Sequence, residues 1–412
     1  MVENPSKFAE DCWWAGVRSV QGDACVIRAL KAQQPLQVDY LLAVGKAAAS
    51  MCRGAVEALG YEPVSLVVTK YGHGEEVDNV ANVEVIESAH PIPDKNSLAA
   101  GKRCLEFVSS VPHDKSLLVL VSGGASALAE SLPDGMSLDD LQAVTDSLIS
   151  EGYDIDQINA VRRQFSLVKG GRLLAGFNGL RAVTYAVSDV PGDDVEVIGS
   201  GIGGIGPAPD INFPLPALVT DILGRLDNRG TGVRKDIKEI WRAGIVASNR
   251  VARDSAAKFA NDKGYEIAVN EQNLHADVSE AARRVAECVL SGDVGVYVFG
   301  GEPTVVLPEN PGQGGRNQHL ALLLARWFRG REDIIAVVGG TDGSDGPTDA
   351  AGGIIDGGTW ESCSDPESAL VGADAGSALE SAASLFVTGP TGTNVMDLVI
   401  VVKSGNPVRE RS

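Results

Sequence analysis

The chain has 412 residues, 44% of them apolar, which is enough to give two domains of ordinary size a hydrophobic core each. Its 35 basic and 55 acidic residues leave a net charge of -20, which repels a polyphosphate backbone and excludes nucleic acid as a partner class. A small phosphorylated ligand stays compatible with this charge, because a few local cations and backbone N–H groups are enough to bind one.

The beginning of the chain carries no targeting signal. Residues 1–20 contain Glu, Asp and Lys where a signal peptide needs an uninterrupted apolar core, and no later run reaches about 18 apolar residues. We therefore expect a soluble cytoplasmic protein with no membrane partner. Six cysteines lie far apart without a CxxC pair, which indicates reduced, buried thiols rather than a zinc site or a disulfide framework. They are Cys12, Cys25, Cys52, Cys104, Cys288 and Cys363.

Six short runs rich in β-branched residues or Leu, each ending in small or polar residues, predict strands. Because they are apolar along their whole length, they indicate parallel sheets covered by helices on both faces, and the fold class is α/β. Ligands of such sheets bind beyond the carboxyl ends of the strands. Amphipathic helices are predicted between them, as at 140–152 and 277–290. The strand runs are 41–46, 118–128, 183–194, 296–304, 334–346 and 385–394.

A stretch rich in Gly and Pro, residues 199–216, is too irregular for a helix or strand. It is either a linker or an active-site loop. A basic segment at 229–238 leads into a second set of α/β elements. We therefore predict an N-terminal domain of residues 1–240 and a C-terminal domain of residues 241–412.

Lys46 follows the first strand and opens a helix, so its ammonium group could lie over an anion at the helix N-terminus. The sequence is not a Walker A motif, since no GxxxxG precedes it and Ala47 replaces the Ser or Thr that would contact magnesium. The alternative is an ordinary solvated Lys.

The segment SGGASAL (122–128) is a candidate phosphate loop. Gly123 and Gly124 would let the backbone approach an anion closely, and Ser122 and Ser126 would add hydroxyl donors. Small residues at a tight turn between a strand and a helix also serve packing alone, and this alternative stays open.

Carboxylates lie at the ends of three predicted strands and suit magnesium, which prefers hard oxygen ligands. The alternative for each of them is turn or cap chemistry, which is common for Asp beside Gly. Recurrence at three strand ends favours a metal, although the spacing excludes an EF-hand loop. The residues are Asp189, Asp193, Asp194, Glu302, Asp342, Asp345 and Asp349.

Two further segments carry basic side chains. His90, in an extended segment before a Pro, could orient a substrate or be a structural His. Arg162, Arg163 and Lys169 lie in a predicted helix and the glycine turn after it. They could reach an acid or a phosphate, or be solvated charges on the outer face.

The segment 312–319, GQGGRNQH, precedes the apolar run LALLLARW. Gly314 and Gly315 release backbone N–H groups at a helix start and Arg316 adds a planar fork of donors, so we interpret them as an anion cradle. Asn317 and Gln318 could bind hydroxyls or the carbonyl of an acid. The apolar run would anchor the helix and hold the Arg in place.

Nine motifs, in this order, closely resemble the glycerate 2-kinases, the family whose C-terminal half is called the MOFRL domain. The resemblance covers residues 41 to about 402, and the ordered set is far more specific than any single motif. The motifs are VGKAAASM, ESAHPIPD, SGGASAL, INAVRRQFSLVKGGRL, SDVPGDD, GGEPTV, GQGGRNQ, GTDGSDGPTDAAGG and TGPTGTNVMDL.

The resemblance implies a larger Rossmann-like N-terminal domain and a smaller C-terminal α/β (MOFRL) domain, with the active site in the cleft between. It implies transfer of the γ-phosphoryl group of ATP to the 2-hydroxyl of D-glycerate with magnesium, giving 2-phosphoglycerate. Lys46 and Arg316 match the family's catalytic Lys and Arg. Some members were formerly labelled hydroxypyruvate reductases, but no GxGxxG fingerprint followed by an acidic residue supports that label here.

The chain departs from the usual family pattern at five places: Ala89 and Ala125 stand where Gly is common, 201–204 replaces a typical SGPT, His319 replaces Glu, and Met396 replaces Asn. Ala125 restricts the loop only mildly if its φ is negative. The other changes motivate an alternative, a kinase of the same fold that acts on another small 2-hydroxy acid.

We therefore expect phosphoryl transfer to a small-molecule acid, in which the protein positions reactants and neutralises charge. A catalytically silent homologue that binds a nucleotide or sugar acid is the alternative from another class. The oligomeric state stays open, with a homodimer as one option. The assigned residues are Lys46, Arg316 and Asp189 for catalysis, Ser122, Gly123, Gly124, Ser126, Glu302 and Asn317 for ATP, and Asp189 and Asp193 for magnesium.

Overall fold

A computed structural model describes residues 4–32, 37–206, 210–226 and 237–405. The chain divides into two compact units. The N-terminal unit is Gly22–Val246, and the C-terminal unit joins the residues up to Gln21 with those from Ala247 onward. Each unit is described by itself.

The strands and helices follow each other in the alternation that the sequence predicts. The strands are β1 (Tyr40–Val44), β2 (Val64–Lys70), β3 (Val83–Ser88), β4 (Ser116–Val121), β5 (Arg181–Val187), β6 (Trp241–Ala247), β7 (Ile267–Gln272), β8 (Gly295–Gly301), β9 (Ile334–Gly340), β10 (Gly352–Asp356), β11 (Leu385–Phe386) and β12 (Asp397–Lys403). The helices are α1 (Pro5–Ser19), α2 (Gly22–Ala32), α3 (Ala48–Leu59), α4 (Lys95–Ser109), α5 (Ala125–Leu128), α6 (Leu138–Ser150), α7 (Ile155–Gln164), α8 (Ala217–Arg225), α9 (Ile237–Ile240), α10 (Asn249–Asp262), α11 (Val278–Ser291), α12 (Arg316–Trp327), α13 (Thr359–Ser362), α14 (Pro366–Val371) and α15 (Ala375–Ser381).

The sheet of the N-terminal unit has the strand order β3-β2-β1-β4-β5-β6. The neighbours from β3 to β5 pair in parallel. This is the order of a doubly wound sheet, in which the direction of winding reverses between β1 and β4. The loops that leave these two strands therefore border the crevice where such sheets bind ligands.

Local sequence explains where several helices of this unit begin. Asp94, Ser137 and Asp154 each accept a hydrogen bond from the third backbone N–H of α4, α6 and α7, and the third side chain returns a bond to the cap residue. Such capping boxes satisfy N–H groups that a helix start leaves unpaired. The apolar face of α4 then packs on the sheet, where Leu42 and Val119 are fully buried, whereas α6 and α7 pack with each other and with α8.

The C-terminal unit is built on a mixed sheet of order β11-β10-β9-β12-β8-β7. Only β7 and β8 pair in parallel, and the pairs from β8 to β11 are antiparallel. The prediction of parallel strands is therefore wrong for this unit. An apolar run reports that a strand is buried on both faces, and helices cover both faces of this sheet whatever the strand direction.

The alternating side chains of β8 contact the helix layers on the two faces of the sheet. Val296 and Val298 belong to the cluster that contains Trp13 of α1 and residues of α10, whereas Tyr297 and Phe299 pack with α11 and α12. Helix α1 is thus one of the layers of the C-terminal unit. The predicted division assigned the first residues to the N-terminal domain, and the structure differs because the apolar face of α1 completes the C-terminal core.

The predicted helices at 140–152 and 277–290 are confirmed by α6 and α11. The prediction for the cysteines is confirmed in part, since all six are free and five are buried, whereas Cys288 is half-buried. The run 385–394 contributes only the two residues of β11. No helix among the described residues is long and apolar enough to span a membrane.

Candidate active site

The loops that follow β1 and β4 are bonded to each other. The backbone N–H of Lys46 donates to the carbonyl oxygen of Gly123 over 2.9 Å, and the N–H of Ala47 donates to Oγ of Ser122 over 3.1 Å. Ser122 is buried, so its hydroxyl serves this junction. These bonds fix the start of α3, and with it Lys46, beside the predicted phosphate loop.

The two glycines of this loop touch charged side chains on both sides. A Cβ atom at Gly123 would collide with Oδ2 of Asp189, which follows β5. A Cβ atom at Gly124 would lie 3.1 Å from Cγ of Lys46 and 3.0 Å from Cδ2 of His90. Gly124 also has a φ of 85°, a backbone conformation that residues other than glycine adopt only at a cost in free energy. The structure therefore brings the predicted phosphate loop together with Lys46, His90 and Asp189, which the sequence analysis identified separately.

The local electrostatics distinguish the two titratable partners of Lys46. Burial raises the pKa of the Asp189 carboxyl, and the positive charge of Lys46 opposes that rise. Desolvation, together with the charges of Lys46 and Lys70, lowers the pKa of His90 to about 4. His90 is therefore neutral near pH 7 and offers hydrogen bonds but no charge. Its ring lies against the phosphate loop, which no sequence pattern could establish.

The glycine-rich stretch after β5 packs on the same loop. Oγ of Ser200 donates to Oγ of Ser126 over 3.0 Å, and a Cβ atom at Gly199 would lie 3.0 Å from that of Ala125. Ile202 and Ile205 are buried. The described part of 199–216 therefore lies within the N-terminal unit and is no linker between units, while residues 207–209 lie outside the described residues, as does most of the basic segment 229–238.

Arg316 begins α12 in the C-terminal unit and is held by two carboxylates. Its Nε and Nη2 donate to Asp397 over 2.6 and 3.1 Å, and its Nη1 lies 2.9 Å from Glu302. The side chain of Asp397 is completely buried, whereas those of Arg316 and Glu302 are 35% and 42% exposed. The negative charges keep the pKa of Arg316 above its ordinary value, despite its burial.

The predicted anion cradle at the start of α12 exists, but the anion it holds is the protein's own. Backbone N–H groups of Asn317 and Gln318 donate to Oδ1 and Oδ2 of Asp345 over 3.0 and 2.8 Å. The interpretation of this helix start as open to an external anion is therefore wrong. Sequence reasoning placed Asp345 among metal ligands, because it could not tell that the chain returns to cap α12.

Burial raises the pKa of Asp345 to about 6, although the two N–H groups act against that rise. The neighbouring charge of Asp397 raises the pKa further and that of Arg316 lowers it. Asn317 joins the two acids, since its Nδ2 donates to Asp397 over 2.9 Å and lies 3.4 Å from Asp345. The cluster of Arg316, Asn317, Asp345, Asp397 and Glu302 is thus internally paired.

Asp397 is a functional candidate that sequence reasoning missed. It lies in the motif TGPTGTNVMDL, directly before the apolar run of β12. From the sequence alone, a single acid at this place indicates only where the strand begins. Its complete burial opposite Arg316 emerges only when β12 pairs with β8, at whose end Glu302 follows Gly301.

The remaining carboxylates divide between local turns and open positions. Asp194 accepts the N–H of Glu196, and Asp342 accepts the N–H of Ser344, so both act as turn residues. Asp193 has a φ of 53°, in the left-handed region that Asp tolerates. The described residues contain no group of three or more His, Cys, Asp or Glu side chains arranged to hold a metal ion.

The basic residues after α6 surround a buried acid that sequence reasoning also missed. Glu130 accepts from Nζ of Lys169 over 2.5 Å and from Oγ of Ser166 over 2.5 Å, and neither Glu130 nor Lys169 is exposed. Burial lowers the pKa of Lys169 to about 8. Arg162 and Arg163 lie on the last turn of α7, near this pair.

Most departures from the family pattern fall on buried backbone or core positions. Ala125 is the first residue of α5 and does not have a positive φ, so the condition for a mild effect is met. His319 and Met396 are buried, and Met396 has a φ of 69°, a region in which Asn is enriched. Ile202 is also buried. These changes therefore alter packing and backbone conformation.

Comparison with known proteins places the chain in a family. A domain of unknown function, DUF4147, matches residues 8–206, and the MOFRL family matches residues 295–397. The chain is 36% identical to D-glycerate 2-kinase of Thermotoga maritima, over 90% of this chain and 93% of that protein, and 34% identical to a putative hydroxypyruvate reductase of Agrobacterium vitis, over 87% and 97%. A crystal structure of glycerate kinase from Thermotoga maritima superimposes with a TM-score of 0.84 at 33% identity, covering 97% of this chain and 99% of that one. The chain belongs to the glycerate 2-kinase family with a MOFRL domain.

Proposed function

We propose that this protein transfers the γ-phosphoryl group of ATP to the 2-hydroxyl of D-glycerate and releases 2-phosphoglycerate. The observation that carries the proposal is the convergence of Lys46 and Asp189 on Gly123 and Gly124, at the carboxyl ends of β1 and β4. Phosphoryl transfer asks the protein mainly to position reactants and to neutralise charge, and this loop offers both.

In this proposal the loop of Gly123 and Gly124 receives the phosphates of ATP. Only residues without a side chain fit there, since a Cβ atom at Gly123 would meet Asp189 and one at Gly124 would crowd Lys46 and His90. The ammonium group of Lys46 then neutralises the transferring phosphoryl group. Ser126, tied to Ser200, supports the loop from below the phosphates.

Magnesium fits this site as a partner of ATP. Asp189 supplies one buried carboxylate, and magnesium typically takes one or two carboxylates and completes its shell with waters and substrate phosphates. When bound, the ion would neutralise phosphate charge. Asp189 also stays our candidate for the catalytic Asp, because it lies directly against Gly123 of the phosphate loop. Asp193 stays a predicted second ligand.

Arg316 stays the proposed catalytic Arg of the C-terminal unit, but its pairing with two carboxylates restricts which of its nitrogen atoms could contact a reactant. Its bidentate bond to buried Asp397 sets the orientation of the guanidinium plane. Only Nη1, which meets the more exposed Glu302, is available to a reactant once Glu302 turns away. Glu302 and Asn317, predicted to bind ATP, act here through Arg316 and Asp397.

The departures from the family pattern give no structural support for another 2-hydroxy acid as the substrate. They motivated the alternative substrate because they replace polar or special positions. Since His319, Met396 and Ile202 are buried, they offer no new polar group to a substrate.

A nicotinamide-dependent reductase, the activity named for the relative from Agrobacterium vitis, finds no support in the loop after β1. A dinucleotide-binding sheet of this strand order carries G-x-G-x-x-G there. The present loop has Gly45 followed by Lys46 and three alanines, and β2 ends on Lys70 rather than on an acidic residue that would bind a ribose.

The cytoplasm is the proposed compartment, supported by six unpaired thiols and by the need for ATP. A homodimer stays a prediction.

The deciding experiment supplies purified protein with ATP, magnesium and D-glycerate, follows ADP release, and identifies the product as the 2- or the 3-phospho isomer. We expect 2-phosphoglycerate and no ADP release without the acid. A Lys46→Ala preparation serves as the control for contaminating kinases. Turnover of another hydroxy acid in place of D-glycerate would correct the substrate, and ATP binding with no turnover of any acid would favour a silent homologue.

A further inference from the structure

Arg162 and Arg163 are half-buried guanidinium groups that the proposed reaction has not used. Within the described residues neither forms an ion pair, and Nε of each is buried without a hydrogen-bond partner. Burial lowers the pKa of both groups. Burying an unpaired donor on a cation costs free energy, so such a pair indicates a missing partner.

Two further cations lie near these two guanidinium groups. Arg162, Arg163, Lys169 and Arg172 form what we call the cation cluster, and Glu130 is the acid at its centre. Glu130 is already bonded to Lys169 and Ser166, and Arg172 donates to the carbonyl oxygens of Arg163 and Ser166.

Three further acids act on Arg163 from a distance. Glu196 is the strongest of them, followed by Asp194 and Asp156. Both carboxylate oxygens of Glu196 accept backbone N–H groups, from Ile205 over 3.1 Å and from Gly206 over 2.8 Å. Asp194 accepts the N–H of Glu196. Glu196 and Asp194 are thus engaged with backbone N–H groups of the loop, and Nε of Arg163 keeps its hydrogen-bonding capacity for another anion.

A helix dipole explains why cations stand at the end of α7, but it does not explain their burial. Arg162 and Arg163 lie in the last turn, where positive charge is favourable. That interaction is available to exposed side chains, which keep their water. It gives no reason to bury Nε of both groups without a partner.

The cation cluster is connected to the phosphate loop through one short segment. The N–H groups of Gly170 and Gly171, directly after Lys169, donate to the carbonyl oxygens of Ser200 and Gly201 over 3.1 and 3.4 Å. Ser200 in turn donates from Oγ to Ser126 of the phosphate loop. Two hydrogen-bonded steps thus join the cluster to the place where we put the phosphates.

The proposed reaction needs a cation for the carboxylate of the acid. Asp397 occupies the Nε–Nη2 side of Arg316 and Glu302 lies against its Nη1, while Lys46 is assigned to the phosphoryl group. We infer that Arg162 and Arg163 bind the carboxylate of the substrate acid beside the phosphate loop. This inference rests on the proposed function. A guanidinium fork matches a carboxylate in a bidentate geometry, so Arg suits the role better than Lys.

The test compares Arg162→Gln, Arg163→Gln and Arg163→Lys with the unchanged protein. Losing a charge-assisted contact should raise the KM for D-glycerate roughly 10- to 100-fold, while the KM for ATP changes less than about twofold. Arg163→Lys keeps the charge without the fork and should fall between. Arg103→Gln, which removes an exposed pair with Glu84 in the same unit, is the matched control and should leave both KM values unchanged.

Stability separates binding from a merely structural role. Since Nε of each guanidinium is buried and has no hydrogen-bond partner to lose, both Gln variants should keep or raise the Tm of the ligand-free protein. A large fall in Tm in both, with the KM for D-glycerate unchanged in the folded fraction, would assign these residues to structure and overturn the inference. A rise in the KM for ATP instead of the acid would also overturn it.

The inference and the proposed function fail in different ways. Turnover of D-glycerate with the same KM in all variants would leave the function standing and remove the carboxylate site. If the unchanged protein turned over no acid, the function would fall, and the site would be tested with inorganic phosphate. A phosphate-dependent rise in Tm that the Gln variants lose supports an oxyanion site there, and an equal rise in all proteins excludes it.

Discussion

The loop of Gly123 and Gly124 in the N-terminal unit and the start of α12 in the C-terminal unit have similar sequences but different contacts. Each combines a glycine pair, a cation and a helix start. At α12 the chain fills the site itself, with Asp345 on the helix N–H groups and Asp397 on the fork of Arg316. The N-terminal loop is bordered instead by the side chains of Asp189, Lys46 and His90, which lie against its two glycines.

The difference shows that a glycine pair with a cation predicts a bound anion. It does not show whether that anion is a ligand or a carboxylate of the protein itself. A paired cluster stabilises a fixed geometry, because removing one partner of a buried pair is costly. A site whose charges await a ligand gives up stability in exchange for binding. We therefore expect substitutions at the N-terminal loop to affect activity, and substitutions at the α12 cluster to affect stability as well.

Lys46→Ala should produce the largest effect and should act on activity alone. Removing the charge on the transferring phosphoryl group should lower kcat by about 10³-fold. The free energy of unfolding should stay within about 1 kcal/mol, because Lys46 is half-buried at a loop. Steady-state kinetics and urea denaturation measure the two. Lys102→Ala, on the exposed side of α4, is the control, and near-normal kcat in Lys46→Ala would remove Lys46 from catalysis.

Arg316→Met should lower both activity and stability. It leaves Asp397 buried without its cation, which costs about 3–5 kcal/mol in the free energy of unfolding. Arg331→Met removes a more exposed bidentate pair with Asp333 and should cost no more than about 1 kcal/mol. Denaturant unfolding of both variants gives the comparison.

A double variant tests whether the pairing itself is responsible. Asp397→Asn keeps an acceptor for Asn317 but removes the charge. Combined with Arg316→Met, it should be less destabilised than the sum of the single variants by at least about 1 kcal/mol. Additive losses would show that Arg316 contributes by packing and not through Asp397.

The raised pKa of Asp345 predicts a pH dependence of stability with a definite sign. Because its pKa is about 6 in the folded protein and near 3.8 when unfolded, both states hold the proton below pH 4 and the folded state alone holds it between pH 4 and 6. Stability from this group is therefore lost as the pH rises through that window, by about 2–3 kcal/mol.

Asp345→Asn cannot titrate and provides the reference. The difference in unfolding free energy between the unchanged protein and this variant should fall from pH 4 to pH 6 and then level off. Urea denaturation at several pH values follows it. A difference that stays nearly level from pH 4 to pH 6 and rises with increasing pH below pH 4 would mean that the two N–H groups of α12 outweigh burial and lower the pKa of Asp345.

Gly124→Ala should lower the free energy of unfolding modestly and have a selective effect on activity. The φ of 85° costs an Ala about 1–2 kcal/mol, and the added Cβ crowds Lys46 and His90. Gly60→Ala has the same kind of strain, with a φ of 72° and nothing within 4 Å of the new atom. Equal loss of stability with loss of kcat only in Gly124→Ala would locate the effect in the loop. Equal kcat values in Gly124→Ala and Gly60→Ala would show that the loop has no catalytic role.

Local sequence was a good guide wherever an element could be formed by its own residues. The starts of α6 and α11 follow from Ser137 and Asp277, whose side chains cap the helices. It was a poor guide to six strands that were not predicted: β2, β3, β6, β7, β10 and β12. Strand β3 is half-exposed and lacks a continuous apolar run, whereas β2 and β12 are buried and apolar, so their sequences carried a signal that the prediction did not use. Strand direction in the C-terminal sheet also escaped it, since burial is the same for parallel and antiparallel strands.

The sequence by itself determined the α/β class, the ordered family motifs, and the residue types of the site, since these depend on local periodicity, turn chemistry and composition. Only the tertiary structure decided which charges meet. Asp345 and Asp397 reach Arg316 and its helix across about 30 and 80 residues of chain, while Nε of Arg162 and Nε of Arg163 find no hydrogen-bond partner among the described residues. Long-range pairing is set by sheet order and helix packing, so a motif names the groups and the fold assigns their partners.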